Sequence, residues 1–204
     1  MWDSYKNERN NSKSKNDDKN TDSSSMEVYG NRIYFYSRVK RGSILNLNKK
    51  LRSKTQEFLA AKRVYGWPKI APLFLHIQSY GGGIHPGLSG MDTILELRKQ
   101  IPIATIVDGC CASAATFLSI VGTRRFITPH SYMLIHQLSS GMWGKYSELK
   151  DEMKSLDRIM GMIRDIYTTY TGFPEKELNQ MLNHDLWLDA KTCLKFGLVD
   201  EILQ

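Results

Sequence analysis

The chain has 204 residues, 41% of them hydrophobic, which is enough for one core of ordinary domain size. Its three cysteines, Cys110, Cys111 and Cys193, form neither a C-x-x-C pair nor an even-numbered framework, which argues against a secreted disulfide scaffold and a zinc ribbon. No stretch approaches the roughly 18 apolar residues of a membrane span, and the first residues lack a secretory apolar region, so a soluble, cytoplasmic chain without a membrane partner is expected.

Residues 1–25, "MWDSYKNERNNSKSKNDDKNTDSSS", are almost all polar and offer too little apolar surface to offset the entropy of ordering them. A disordered tail is predicted here, or a removable propeptide. Five basic and five acidic residues cancel within it, so the net charge of +7 resides in residues 26–204, the expected folded domain. Between Arg32 and Lys69, eleven Lys or Arg face a single acid, Glu57. Such a basic face suits a polyanion. No aromatic and basic motif of a nucleic-acid module accompanies it, however, and a solvated surface or a subunit contact is the favoured reading.

Short apolar runs then alternate with helical periodicity, without an internal repeat, and the class predicted is α/β. Strands are expected over Arg32–Arg38, Leu73–Gln78, Ile103–Asp108, Arg125–Thr128, Met133–His136 and Leu198–Ile202. Helices are expected over Asn46–Lys62, Leu88–Gln100 and Ala114–Val121, and the longest over Ser147–Tyr170 with Ser147 as its N-cap. In that helix Leu149, Met153, Leu156, Met160, Ile163 and Tyr167 recur every three or four residues, an apolar stripe better suited to a core or subunit interface than to a cofactor. Asp189 is placed to cap a short helix that stops at Gly197, before a closing strand in "LVDEIL".

Two corners carry more chemistry. "LHIQSYGGGIHPG" sets Gly81, Gly82 and Gly83 directly after a strand. The G-K-S/T ending of a phosphate loop and the G-x-G-x-x-G pattern are both absent, which leaves a flexible turn or a backbone amide aimed at an oxyanion. In "DGCCASAATFLSI", Ser113 stands between a buried strand and a helix, where orphan N–H groups and the positive end of the macrodipole favour negative charge. A serine before a helix is ordinarily an N-cap, and this is not the G-x-S-x-G elbow. Cys110 and Cys111 point to opposite faces of the strand and read as small buried hydrophobes.

"YMLIHQLSSG", with His136, and "NQMLNHDLWLDA", with Asp185, complete a recognisable order: a glycine corner after "LHIQS", then "ASAA", "MLIHQ" and "HDLWLDA". In this order the chain resembles the proteolytic subunit family of the Clp protease (ClpP), over roughly residues 32–203. The resemblance implies a ClpP/crotonase-like ββα superhelix with a protruding handle helix, matched by "LSSGMWGKYSEL" and the long helix, with Gly141 and Gly144 at its base. It implies a Ser-His-Asp triad of Ser113, His136 and Asp185, with oxyanion-hole amides at Gly82 and Ala114. Ser113 Oγ would then attack a peptide carbonyl, His136 would carry the proton to the leaving amine, and Asp185 would orient the imidazole. His76, His85, His130 and His184 compete for the base role, but none ends a strand in the "IHQ" setting.

The resemblance further implies a serine-type endopeptidase that cleaves unfolded polypeptides inside a closed chamber. Its expected assembly is a homo-oligomeric, heptameric ring that can stack into a tetradecamer. An AAA+ unfoldase would be the partner that uses ATP, and no cofactor or metal is expected in this chain itself. Leu138 and Tyr80 stand where the family usually has proline, and its axial hairpin has no evident counterpart before "RIYFYSRVKRG". Two other readings are a catalytically silent ring subunit and a crotonase-type acyl-CoA enzyme, which would have no need of Ser113, His136 and Asp185 in this order.

Overall fold

A computed structural model describes residues 26–66, 68 and 70–204, and the tail expected over 1–25 lies outside the described residues. The described chain opens with a hairpin of β1 (Met26–Tyr29) and β2 (Arg32–Phe35), closed by a two-residue turn with Gly30 at φ 56°. Met26, Ile33 and Phe35 are buried beneath it. Strand β1 was not predicted, and β2 stops short of the expected Arg38. Beyond it the chain leaves the sheet and returns at Val39, which bridges Gly82.

Strands β2, β3 (Leu73–Ser79), β4 (Ile103–Ala112), β5 (Arg124–Ile127) and β8 (Glu201–Ile202) lie parallel in that order. Alternate residues Leu73, Leu75 and Ile77 of β3 are fully buried, as the period of two requires of a face turned to the core. Against them pack Ile44, Leu47 and Leu51 of α1 (Arg41–Tyr65), Met91 and Ile94 of α2 (Ile84–Leu97), and Phe117 and Leu118 of α3 (Thr116–Ser119). Each such side chain contributes about 1.5–3 kcal/mol on leaving water.

Helix α1 begins at Arg41, five residues before its predicted start, where the Ser43 hydroxyl accepts from the Lys40 N–H at 3.0 Å. Helix α3 is one turn, shorter than the stretch predicted. A tight turn of 3₁₀ geometry, Ser113–Ala115, precedes it.

Strand β4 is the pivot. Its first half pairs with β3 and β5, and its second half with β6 (Tyr132–Leu134). Between the halves the register against β3 slips, Ile77 facing Val107 but Ser79 facing Cys111, and Gly109 sits there at φ 75°. Such a bulge bends and twists the strand. It leads the chain toward a small subsheet in which β6 also pairs antiparallel with β7 (Trp187–Asp189).

The long helix α4 (Tyr146–Tyr170) buries only Ile163 and Tyr167. Its N-cap is Lys145 rather than the predicted Ser147, because Glu148 reaches back to accept from the Lys145 N–H at 2.9 Å. Helix α5 (Glu175–Leu182) follows, unpredicted, and then α6 (Ala190–Lys195). Asp189 caps α6 as expected, accepting from the Thr192 N–H at 2.8 Å. Arg125 ties these parts together: its Nη1 donates to the carbonyls of Tyr170 at 2.6 Å and Gly197 at 2.7 Å, while its guanidinium pairs with Asp200. Among the described residues no helix is long and apolar enough to cross a membrane.

Candidate active site

Two strand registers gather three distant segments. Ala112 of β4 pairs with Leu134 of β6 in parallel, so the chain that runs past both strand ends emerges side by side. Ser113 is the next residue after one, and His136 lies two residues beyond the other. His136 is expected as the last residue of a strand, but β6 ends two residues earlier, at Leu134. Leu134 also pairs antiparallel with Trp187, and continuing that register by two residues sets His136 opposite Asp185. The His136 Nδ1 and Asp185 Oδ1 atoms are 3.7 Å apart. That is beyond hydrogen-bond reach for this pair of atoms, and the two form an ion pair only when the imidazole is protonated. The His136 side chain is 11% exposed and that of Asp185 is 42%, so the carboxylate keeps much of its solvent while the imidazole is nearly enclosed.

Ser113 has φ 55°, the one non-glycine residue in the left-handed region among those described. A serine held there is strained, and such strain persists only where its surroundings enforce it. The glycine corner supplies part of that enforcement. Val39 donates to the Gly81 carbonyl at 2.9 Å and accepts from the Gly83 N–H at 2.8 Å, so neither bond uses the Gly82 N–H. Gly81, at φ 85°, lies so close that a Cβ added to it would come within 2.6 Å of both the Ala112 carbonyl oxygen and the Ser113 Cβ.

A cleft of about 70 Å³ opens at this junction, lined by Gly82, Ser113, Ala114, His136 and Gln137 on its polar side. Ile84, Phe117, Leu138, Ile163 and Tyr167 form its apolar wall. Five residues named from the sequence thus divide in two: Gly82, Ser113, Ala114 and His136 share the cleft, while Asp185 stands behind His136. The macrodipole expected behind Ser113 is small, since α3 has one turn, and the N–H groups of the tight turn are the donors present. The apolar wall was not predicted, because Ile163 and Tyr167 reach it from α4 and nothing local in the sequence marks that approach.

The rival histidine His76 is engaged elsewhere. Its Nε2 lies 2.8 Å from Arg32 Nη1 and its Nδ1 2.6 Å from Asp108 Oδ2. A guanidinium only donates, so Nε2 accepts and Nδ1–H faces the carboxylate. Tyr36 Oη donates to the same Asp108 oxygen at 2.9 Å, and burial together with that carboxylate raises its phenol far above the ordinary range. This is a tighter His–Asp pair than His136–Asp185, and sequence spacing gave no sign of it; it does not line the cleft. Cys111 is fully buried and Cys110 half-buried. Burial raises both thiols and pushes Cys193 up to about 12, so all three are protonated at neutral pH. Among the described residues no group of three or more His, Cys, Asp or Glu could hold a metal ion.

A strained serine at a strand end, beside a glycine corner and a nearly enclosed histidine, is a set of groups suited to acyl transfer. The model of the family described as Clp protease matches residues 29–204, and the chain belongs to that family. It is 28% identical over 173 residues to the ATP-dependent Clp protease proteolytic subunit of Porphyromonas gingivalis, covering 83% of this chain and 77% of that protein. It is 30% identical over 174 residues to the protein of the same name from Oltmannsiellopsis viridis, covering 83% of this chain and 88% of that one. Family membership makes the chain a proteolytic subunit of Clp type with the corresponding α/β fold, and it displaces the acyl-CoA enzyme reading.

Proposed function

We propose that the chain is a serine-type endopeptidase subunit in which Ser113, His136 and Asp185 act as nucleophile, base and orienting carboxylate. The observation that carries this is the shared cleft of Ser113 and His136, with Asp185 Oδ1 3.7 Å behind the imidazole. Ser113 Oγ attacks a peptide carbonyl as His136 accepts its proton. His136 then returns that proton to the leaving amine, and water repeats the cycle on the acyl-enzyme. Asp185 faces Nδ1, which leaves Nε2 for the serine. The N–H groups of Gly82 and Ala114 donate to the oxyanion, and the apolar wall of the cleft strengthens them by excluding water.

The substrates in this reading are unfolded polypeptides. Chains are delivered by an AAA+ unfoldase that consumes ATP, and the working assembly is a homo-oligomeric ring in the cytoplasm. Labelling the full-length protein with a fluorophosphonate tests the chemistry. Modification of Ser113, lost in both Ser113→Ala and His136→Ala, is expected. No modification of a correctly assembled protein would make the chain a silent ring subunit.

A further inference from the structure

The φ of 55° at Ser113 needs a restraint, and a directional one lies beneath it. The Ser113 carbonyl accepts from the Thr116 N–H and from Thr116 Oγ1, the latter at 2.6 Å. Thr116 Oγ1 is in turn 2.6 Å from Tyr167 Oη. A threonine hydroxyl has one proton, and a carbonyl can only accept. Thr116 therefore gives its proton to Ser113, and Tyr167 gives its own to Thr116. Burial raises the Tyr167 phenol far above its ordinary range, which keeps that proton in place. Thr116 is fully buried and Tyr167 is 2% exposed, so water does not compete for either bond.

We infer that Tyr167 is a positioning residue for the nucleophile, acting through Thr116 on the backbone of Ser113; this rests on the serine-peptidase reading above. Only Ile163 and Tyr167 of α4 are buried, and α4 is held at its end by Arg125 on the Tyr170 carbonyl. The hydroxyl pair is thus the polar link between the long helix and the serine corner. When the link is cut, Ser113 relaxes from φ 55°, and its Oγ departs from the line between His136 and the substrate carbonyl. Reactivity is steeply sensitive to such a shift: a misplacement of about 1 Å can cost about a hundredfold.

The test compares full-length wild type with Tyr167→Phe, Thr116→Val, Thr116→Ser and Ser113→Ala, reading fluorophosphonate labelling rate and peptide hydrolysis. Tyr167→Phe and Thr116→Val keep shape and remove one hydroxyl each. Both should lower kcat and labelling rate roughly tenfold with KM within about twofold, and Thr116→Ser should restore most of the rate. The two losses should not add in the double variant, because one relay is cut either way. Wild-type rates in Tyr167→Phe, or losses confined to KM, would overturn the inference. Should Thr116→Val fail to fold, Tyr167→Phe and Thr116→Ser decide the matter between them. Full activity in Ser113→Ala, or no labelling of the wild type, would instead sink the peptidase reading and the relay with it.

Discussion

At the residue scale, the three proposed catalytic side chains are unequally placed, and their substitutions should be unequal too. Ser113 and His136 line the cleft itself, whereas Asp185 is 42% exposed and 3.7 Å from the imidazole. Ser113→Ala and His136→Ala should each lower kcat by roughly 10⁶-fold, the scale on which a nucleophile or base is lost. Asp185→Ala should cost on the order of 10²–10⁴-fold, since a solvated carboxylate orients less strongly than a buried one. Steady-state kinetics on a fluorogenic peptide would rank them, and an Asp185 variant as dead as Ser113→Ala would contradict the geometry. The cysteines give a second residue-scale expectation. Raised by burial, Cys111 and Cys193 are thiols rather than thiolates at pH 8. Iodoacetamide should leave both unmodified in the native protein, with any labelling confined to half-buried Cys110, and peptide mapping would detect the contrary.

At the element scale, the glycine corner and the closing strand make separate demands. Alanine at Gly81 would need φ 85° and would put its Cβ 2.6 Å from the Ala112 carbonyl oxygen and from the Ser113 Cβ. Gly81→Ala should therefore destabilise the fold by about 1–3 kcal/mol and reduce Ser113 labelling together, since the displaced atoms belong to the nucleophile's own turn. Urea unfolding read beside labelling would separate the two losses. On the far side, burial raises the Asp200 carboxyl, but the Arg125 bonds outweigh it and hold the group below the ordinary aspartate range. A carboxyl depressed in the folded state stabilises above its unfolded pKa, and that stabilisation is lost as pH falls through the folded value. Asp200→Asn should therefore melt below wild type at pH 7 and converge on it in acid, which calorimetry across pH 2–7 would follow.

How much of this was legible varies from element to element for physical reasons. The apolar run of β3 and the heptad-like stripe of α4 announce themselves because apolar residues recur on one face with a fixed period. The Asp189 cap and Gly197 at φ 65° bracket α6 by local chemistry alone. By contrast β7 has three residues and exists through its pairing with β6, a contact between positions about fifty apart in the chain. The register that sets His136 opposite Asp185 is of the same long-range kind, so the residues could be named from resemblance but not brought together by spacing. Tyr167 stands in the sequence only as part of an apolar stripe suited to a core or subunit interface, and nothing singles out Thr116, since a hydrogen bond between a short turn and a distant helix leaves no periodic trace.

At the scale of the whole molecule, α4 poses the main question. Its stripe of Leu149, Met153, Leu156 and Met160 continues the line of Ile163 and Tyr167, but only those last two are buried in the single chain. Met153 is 52% exposed, and Trp143 and Tyr146 just before it are almost wholly so. Soluble proteins rarely leave so contiguous an apolar strip uncovered, and covering it against a second copy would bring each such side chain about 1.5–3 kcal/mol of burial. The full-length protein should therefore sediment as an oligomer at micromolar concentration. The contact should persist in high salt, because apolar burial is not screened as ion pairs are. Met153→Glu together with Leu156→Glu should shift it toward smaller species while leaving the core and the Ser113 corner intact, because neither side chain is buried in the single chain. A wild-type monomer in both low and high salt would leave the stripe without its expected partner and would speak against the ring.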